Sequence, residues 1–280
     1  MSGLDIEHLR QWIGQEETRS ELVTDALVDR FRATFDQAGS ARDGEAAPVM
    51  IHLCVAPPAA PTSKLGVDGH PVRGGFLPPV SLPRRMWAGG AFTFHGDIRV
   101  GERVTRRSTI RDVTVKEGRT GTLCFVTVDH RIDSAGRLVV EERQDLVYRG
   151  HQAAGGVGRP TEAEAPGAHR VTVAPSAALL FRYSALTFNG HRIHYDTPYA
   201  TTQEGYPGLI VHGPLQATML VQFAERLRGR RPVQFSFRSL SPLFDIADFT
   251  LNARPEGLGL RLWTSYADGP VAMEAHASWS

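Results

Sequence analysis

Four alternating apolar–polar segments in a row, separated by turn residues, occur twice in this chain. No other feature narrows the folds open to it as far. The first set is "AFTFHGDIRVG", "RVTRRSTIRDVTVKEG", "RTGTLCFVTVDHRIDSAG" and "RLVVEERQDLVYRG", with turns at Gly101, Gly118 and Gly136. The second is "PVQFSFRSLSPLF", "DIADFTLNARPEG", "LGLRLWTSYADG" and "PVAMEAHASWS". Alternation puts one side of each segment on a core, and short turns make neighbours antiparallel. Each set follows a helical pattern. "SELVTDALVDRFRATFDQAG" places Leu22, Leu27, Val28 and Phe31 on one face, and "APVMIHLCVAP" is a candidate second helix. "GLIVHGPLQATMLVQFAERLRGR" repeats apolar residues at Leu215, Met219, Leu220, Phe223 and Leu227, with Pro214 suited to its first turn.

Helix then meander, twice over, predicts an α+β chain: a double hotdog, two long helices each wrapped by a curved antiparallel sheet. One such sheet has an open face and edge, and fusing two covers them. "RVTVAP" opens the second half as a strand. Residues 151–170, rich in Gly, Ala, Pro and Glu, read as a linker between a first unit (1–150) and a second (171–280). Weak echoes agree with duplication: "FRAT" at 31–34 against "FRYS" at 181–184, and Glu141 and Glu274 each five residues after a turn glycine. With 280 residues, two-fifths of them apolar, the chain can bury a large core. Its net charge of +1 offers no field for nucleic acid or an anionic membrane. "RLRGRRP" is the densest basic run and reads as a solvated helix end rather than a phosphate patch. Cys54 and Cys124 have no metal-like spacing, and no secretory signal or membrane-length apolar run is visible. A soluble, cytoplasmic protein without disulfides is expected.

The segment "FNGHRIHYDTPYA" sets Asn189 ahead of His194, with His191 between them, where a short helix starts. His194-Tyr195-Asp196-Thr197-Pro198-Tyr199-Ala200, Ile193 before it and "GLIVHGPLQATML" after it resemble the MaoC-like, R-specific hydratase group of hotdog proteins. That group has Asp-x-Asn-Pro ahead of the histidine. Here Asn189 stands in the place of the Asp, and His191-Arg192 in the place of Asn-Pro. This variant, together with "RRMWAGGAFTF" at 84–94, resembles the subfamily of mitochondrial-type 3-hydroxyacyl-thioester dehydratases and of mesaconyl-C4-CoA and itaconyl-CoA hydratases.

The resemblance implies reversible hydration of a 2-enoyl-CoA, with a short branched dicarboxylyl thioester as the favoured substrate. A histidine near neutral pKa can take the proton of the attacking water and return it to C2. His194 is assigned that role, and Asn189 holds the water or donates to a substrate oxygen. The N–H of Gly213, at the start of the long helix, is expected to polarise the thioester carbonyl, since Pro214 has no N–H. Arg192, Arg231, Arg238, Val211, His212 and Trp87 are the candidates for substrate and CoA contacts.

Plainer readings stand beside these. His194 could be a core histidine, Asn189 a turn residue, His212 a packing residue, and Asp196 is read as a helix cap rather than an orienter of His194. The alternatives in function are a 3-hydroxyacyl-carrier-protein dehydratase, a hotdog thioesterase, which Asn in place of a carboxylate disfavours, and a non-catalytic thioester-binding protein. No metal or cofactor is expected, CoA being part of the substrate. Acyl carrier protein is the alternative carrier, and pairing into a homodimer is compatible with the fold. One active site per chain is expected, with the first half forming the acyl pocket.

Overall fold

The strands of both halves join in one sheet. The computed structural model describes residues 4–118, 121–150 and 163–280. In the first half α1 (Ile6–Arg10), β1 (Glu16–Leu22) and α2 (Asp25–Thr34) precede β2 (Arg84–Phe94), β3 (Arg103–Gly118), β4 (Gly121–Ser134) and β5 (Arg137–Arg149). In the second, β6 (His169–Val173), α3 (Ala177–Leu186) and α4 (Gly213–Arg228) precede β7 (Gln234–Ser239), β8 (Phe249–Glu256), β9 (Gly259–Tyr266) and β10 (Met273–Ser278). The sheet order is β1-β3-β4-β5-β2-β7-β10-β9-β8-β6. Read outward from the centre, both halves have one topology, and β2 and β7 join them, residues 89–93 pairing antiparallel with 234–238. Each half thereby loses one exposed edge.

α4 forms where its apolar period puts it. Leu215, Leu220, Val221 and Ala224 are fully buried against β7–β10, and Gly229, at φ 68°, ends the helix in the left-handed conformation glycine tolerates. Polar positions of α4 are buried too, because helices and loops cover its other side. Gln216 answers this by donating to the Val211 carbonyl (3.2 Å) and accepting from Thr264 (2.8 Å).

The first half departs from the expected helices. α2 starts only at Asp25, capped by Thr24, whose hydroxyl accepts the Leu27 N–H at 3.1 Å. Leu22 lies in β1 and is exposed. "APVMIHLCVAP" makes no long helix: Met50 takes φ 72° and only the 3-10 turn Ile51–Cys54 follows. Among the described residues, one of the two expected long helices is therefore absent. The sheet face it would cover carries two apolar clusters, one around Phe31, Phe92 and Ile132 and one around Ile110, Val126 and Tyr148. Between them, on β3, β4 and β5, runs a polar band of Arg106, Ser108, His130, Glu142 and Gln144.

"FRAT" and "FRYS" fall on the equivalent helices α2 and α3 but two positions out of register. Phe31 is buried and Phe181 exposed, and burial instead aligns Phe31 with Tyr183. Residues 151–162 of the expected linker lie outside the described residues. From 163 the chain leads to edge strand β6, with Glu164 paired to Arg254 and Arg261.

Candidate active site

Ser184, on α3, ties together the two ends of the motif segment. Its carbonyl accepts the Asn189 N–H at 2.8 Å, and its hydroxyl bonds the His212 Nε2 at 2.8 Å. Phe188, at φ 50°, makes the left-handed turn, and the Asn189 Oδ1 then accepts the His191 N–H at 3.0 Å. A backbone donor identifies that end of the amide as oxygen. The uncommitted end of Asn189, among the described residues, is its Nδ2 group. The turn reading of Asn189 is thus correct for its carbonyl and leaves its donor free.

His194 closes the 3-10 turn Arg192–His194 and is buried. Its Nδ1 lies 2.8 Å from the Ile210 carbonyl, which can only accept, so Nδ1 carries the proton and Nε2 a lone pair. Burial lowers its pKa to about 4, so the ring is neutral at pH 7. His212 stacks on it at 3.7 Å between centroids and is wholly buried, with Tyr183 at 5.1 Å behind it. His212 is buried as a packing residue would be, and it also touches His194 directly, with its Nδ1 unpartnered among the described residues. Asp196 accepts the Tyr199 N–H at 3.1 Å, which is a cap contact.

Gly213 is the first residue of α4. No described side chain caps this helix, so the first-turn N–H groups remain open. A Cβ on Gly213 would stand 3.9 Å from the Trp87 carbonyl oxygen, Ser239 Oγ and Met273 Cε. Neither crowding nor dihedral demands glycine there. Trp87 packs edge-on against Phe237 at 5.0 Å, with its indole N–H buried and unpartnered.

The remaining candidates lie elsewhere or are engaged. Arg192 gives Nε and Nη2 to Asp196 (2.9 and 2.8 Å) and Nη1 to the Val67 carbonyl (3.0 Å), and lies 4.2 Å over the Tyr199 ring. Its charge is met by Asp196, which weighs against a part in binding a substrate anion. Val211 is core, its N–H on the Leu243 carbonyl at 2.9 Å. Arg238 is exposed on β7, on the opposite side of the strand from Phe237. Arg231 pairs with Asp97 at 2.8 Å in a cleft of about 450 Å³ beyond the other end of α4, a helix roughly 24 Å long.

One element of the site lies in the first half. Residues 64–72 form a turn that docks on the motif segment. Asp68 O accepts the Arg192 N–H at 2.9 Å, and Gly69, at φ 85°, touches Gly190 so closely that a Cβ would fall 1.9 Å from its carbonyl oxygen. Asp68 holds His70 through its backbone N–H and Nδ1, both at 3.0 Å. The His70 ring lies 4.0 Å from His191, and His191 lies 5.4 Å from His194. The Asp-Gly pair in "GVDGHP" is a turn signal, but nothing local ties it to a segment so far along the chain. Asp68, His70 and His191 each offer a ligand atom within 4.8 Å of the others, enough to hold a metal ion. The positive charge of Arg85 beside all three opposes that use.

Residues 50–245 match the hydroxyacyl-thioester dehydratase type 2 family. The chain is 46% identical over 268 residues to the mesaconyl-C(4)-CoA hydratase of Chloroflexus aurantiacus, covering 94% of this chain and 95% of that one. A MaoC-like dehydratase from Phytophthora capsici superposes with TM-score 0.72 at 13% identity, over 99% of this chain and 98% of that one. A Mycobacterium tuberculosis protein with a double hotdog fold does so with TM-score 0.58 at 11% identity, over 95% of each. The last two are likenesses of fold, and the fold is a double hotdog. With a match that runs through both halves and spans Asn189, His194 and Gly213, this chain belongs to the hydroxyacyl-thioester dehydratase type 2 family.

Proposed function

We propose that this hydro-lyase adds water across the 2,3 double bond of a short dicarboxylyl-CoA thioester and removes it in reverse. Mesaconyl-C4-CoA, which has that bond, is the first candidate; itaconyl-CoA, whose double bond runs from C3 to a methylene group, is the second and enters this reaction only after isomerisation to the 2,3-ene. The observation that carries the reading is His194, whose Nδ1–H is anchored on a carbonyl, which leaves Nε2 unprotonated, and whose ring stacks at 3.7 Å on His212, the residue just before α4. The likeness to the Chloroflexus hydratase supports the acyl class.

In the hydration direction, the water oxygen bonds to C3 while His194 Nε2 takes one water proton. The π pair moves through C2 to the thioester oxygen, giving an enolate. The enolate then takes that proton from His194 at C2, and the neutral imidazole is restored. The Gly213 N–H and the positive end of the α4 dipole stabilise the enolate oxygen. Asn189 donates through Nδ2 to a substrate or water oxygen and cannot share the proton transfer. It also cannot act as the carboxylate base or nucleophile that hotdog thioester hydrolysis would call on. No group beyond the CoA of the substrate is required. The first half, lacking its long helix, supplies the acyl pocket.

The test is loss of enoyl-thioester absorbance with crotonyl-CoA, mesaconyl-C4-CoA, itaconyl-CoA and a longer 2-enoyl-CoA. His194→Ala should lower kcat/KM by roughly 10²–10⁴-fold on the preferred substrate. Undiminished hydration in that variant would overturn the assignment. Turnover of a carrier-protein thioester alone would move the enzyme to the fatty-chain reading.

A further inference from the structure

In a mesaconyl-C4 thioester the free carboxylate is bonded to C3, the carbon that water attacks. Whatever recognises that carboxylate must therefore stand beside His194, not at a distant pocket mouth. This restricts the cations. Arg192 is spent on Asp196 and Val67. Arg84 pairs with Glu204 at 3.1 Å. Arg73 donates to the carbonyls of Val80, Leu82 and Pro83. Arg231 and Arg238 are remote or turned outward.

Arg85 is different. It is half-buried on β2 and forms no ion pair with any described carboxylate. Its partner across the sheet is Tyr148 of β5, which is fully buried and whose hydroxyl, apart from a loose contact with Arg85 itself, has no hydrogen-bond partner. The 64–72 turn that docks on the motif segment runs on into Arg73, whose guanidinium lies 5.4 Å over the Tyr148 ring. Arg85 and Tyr148 thus lie under a loop whose other contact is the catalytic segment. Two positions along β2 is Trp87, whose carbonyl borders Gly213. Asp68, on which the charge of Arg85 acts, already accepts two hydrogen bonds from His70.

We propose that Arg85, with the Tyr148 hydroxyl beside it, receives the free carboxylate of the dicarboxylyl substrate next to the carbon that water attacks. This rests on the substrate reading above. An unpaired, half-buried guanidinium and an orphan hydroxyl are what a planar carboxylate can satisfy together. Asp68 forms no ion pair with Arg85, both of its oxygens being held by His70.

The experiment compares Arg85→Gln, Arg85→Lys and Tyr148→Phe on mesaconyl-C4-CoA and on crotonyl-CoA, which has no carboxylate. The ratio of the two kcat/KM values should fall by about 100-fold or more in Arg85→Gln, consistent with loss of one partner of a buried charge pair. It should recover in part in Arg85→Lys and fall by about tenfold in Tyr148→Phe. An unchanged ratio in Arg85→Gln, or equal losses on both substrates, would overturn the assignment of Arg85 and leave the substrate reading standing. Wild-type protein that hydrates crotonyl-CoA but no dicarboxylyl-CoA would sink the substrate reading, and this assignment with it.

Discussion

In the proposed mechanism His194 and Gly213 act through what their surroundings leave free. The Ile210 carbonyl leaves His194 only Nε2 for chemistry, and burial keeps that nitrogen unprotonated through the neutral range. At Gly213 the question is what a methyl group would do. Space for it exists, with the nearest atoms at 3.9 Å, so Gly213→Ala should fold with Tm within about 2 °C of wild type. The methyl group would stand where the thioester must approach the helix N-terminus, and kcat/KM should fall by roughly 10–100-fold. Thermal melts beside steady-state rates check this, and unimpaired turnover would remove Gly213 from the site. Asn189 and His194 were legible because a motif places them close in sequence. Their support was not. Ser184 reaches forward to both Asn189 and His212, and no local pattern marks a serine for that task.

At the scale of elements, the sequence pattern named most strands and the long helix α4 correctly, because burial of one face writes a period into the residues. It misplaced the first-half helices, because β1 (EETRSEL) is polar apart from Leu22 and writes no strand period into the sequence, and Met50 carries no sign of its left-handed backbone. The docking turn at 64–72 was invisible for a related reason: its partner is another loop. Its glycine gives a direct test. Gly69→Ala would force a Cβ into a left-handed residue and against the Gly190 carbonyl, so the turn must lift. A loss of about 2–4 kcal/mol of stability is expected, with activity falling alongside, measured by denaturant unfolding and rates. A stable, fully active Gly69→Ala would mean the turn is no part of the site. The polar band across β3–β5 makes a second test. Burial raises the Glu142 pKa to about 7, and its neighbour His52, 3.9 Å away, is held near 3 and gives no balancing charge. A carboxyl whose folded pKa is raised contributes stability below its unfolded value near 4.5, and loses it as pH rises through 7. Glu142→Gln should therefore gain stability relative to wild type at pH 8, by up to about 3 kcal/mol, and little at pH 5. A gain no larger at pH 8 than at pH 5 would refute this.

For the whole molecule, duplication was legible as a repeated order of elements, whereas the edge-to-edge union of β2 with β7 was not, since strand partners so distant leave no local trace. That union puts the first half's docking turn, its β2 and the second half's motif into one candidate site, and the fold as a whole holds several histidines away from water. His52 is held at about 3, and His70, His130 and His194 at about 4, burial being the leading cause in each. His191 and His212 lie well below the ordinary value for the same reason. The sign of the consequence is fixed by linkage. An unfolded chain protonates these rings below about pH 6.5, which the folded chain resists until about pH 4. The stability they contribute is fully present above pH 6.5 and drains away as pH falls toward 4. Glu142 works the other way, but it is one group against at least four. Tm should therefore drop by roughly 10 °C between pH 7 and pH 5, well above the range where ordinary carboxylates titrate. Replacing His130, whose bonds go to Ser108 and Gln144 in the polar band, by Gln should shrink that drop while leaving the His194 site intact. A Tm that stays level from pH 7 to pH 5 would show that these rings are solvated and able to charge in the folded chain, and would take with it the claim that His194 is held neutral by burial.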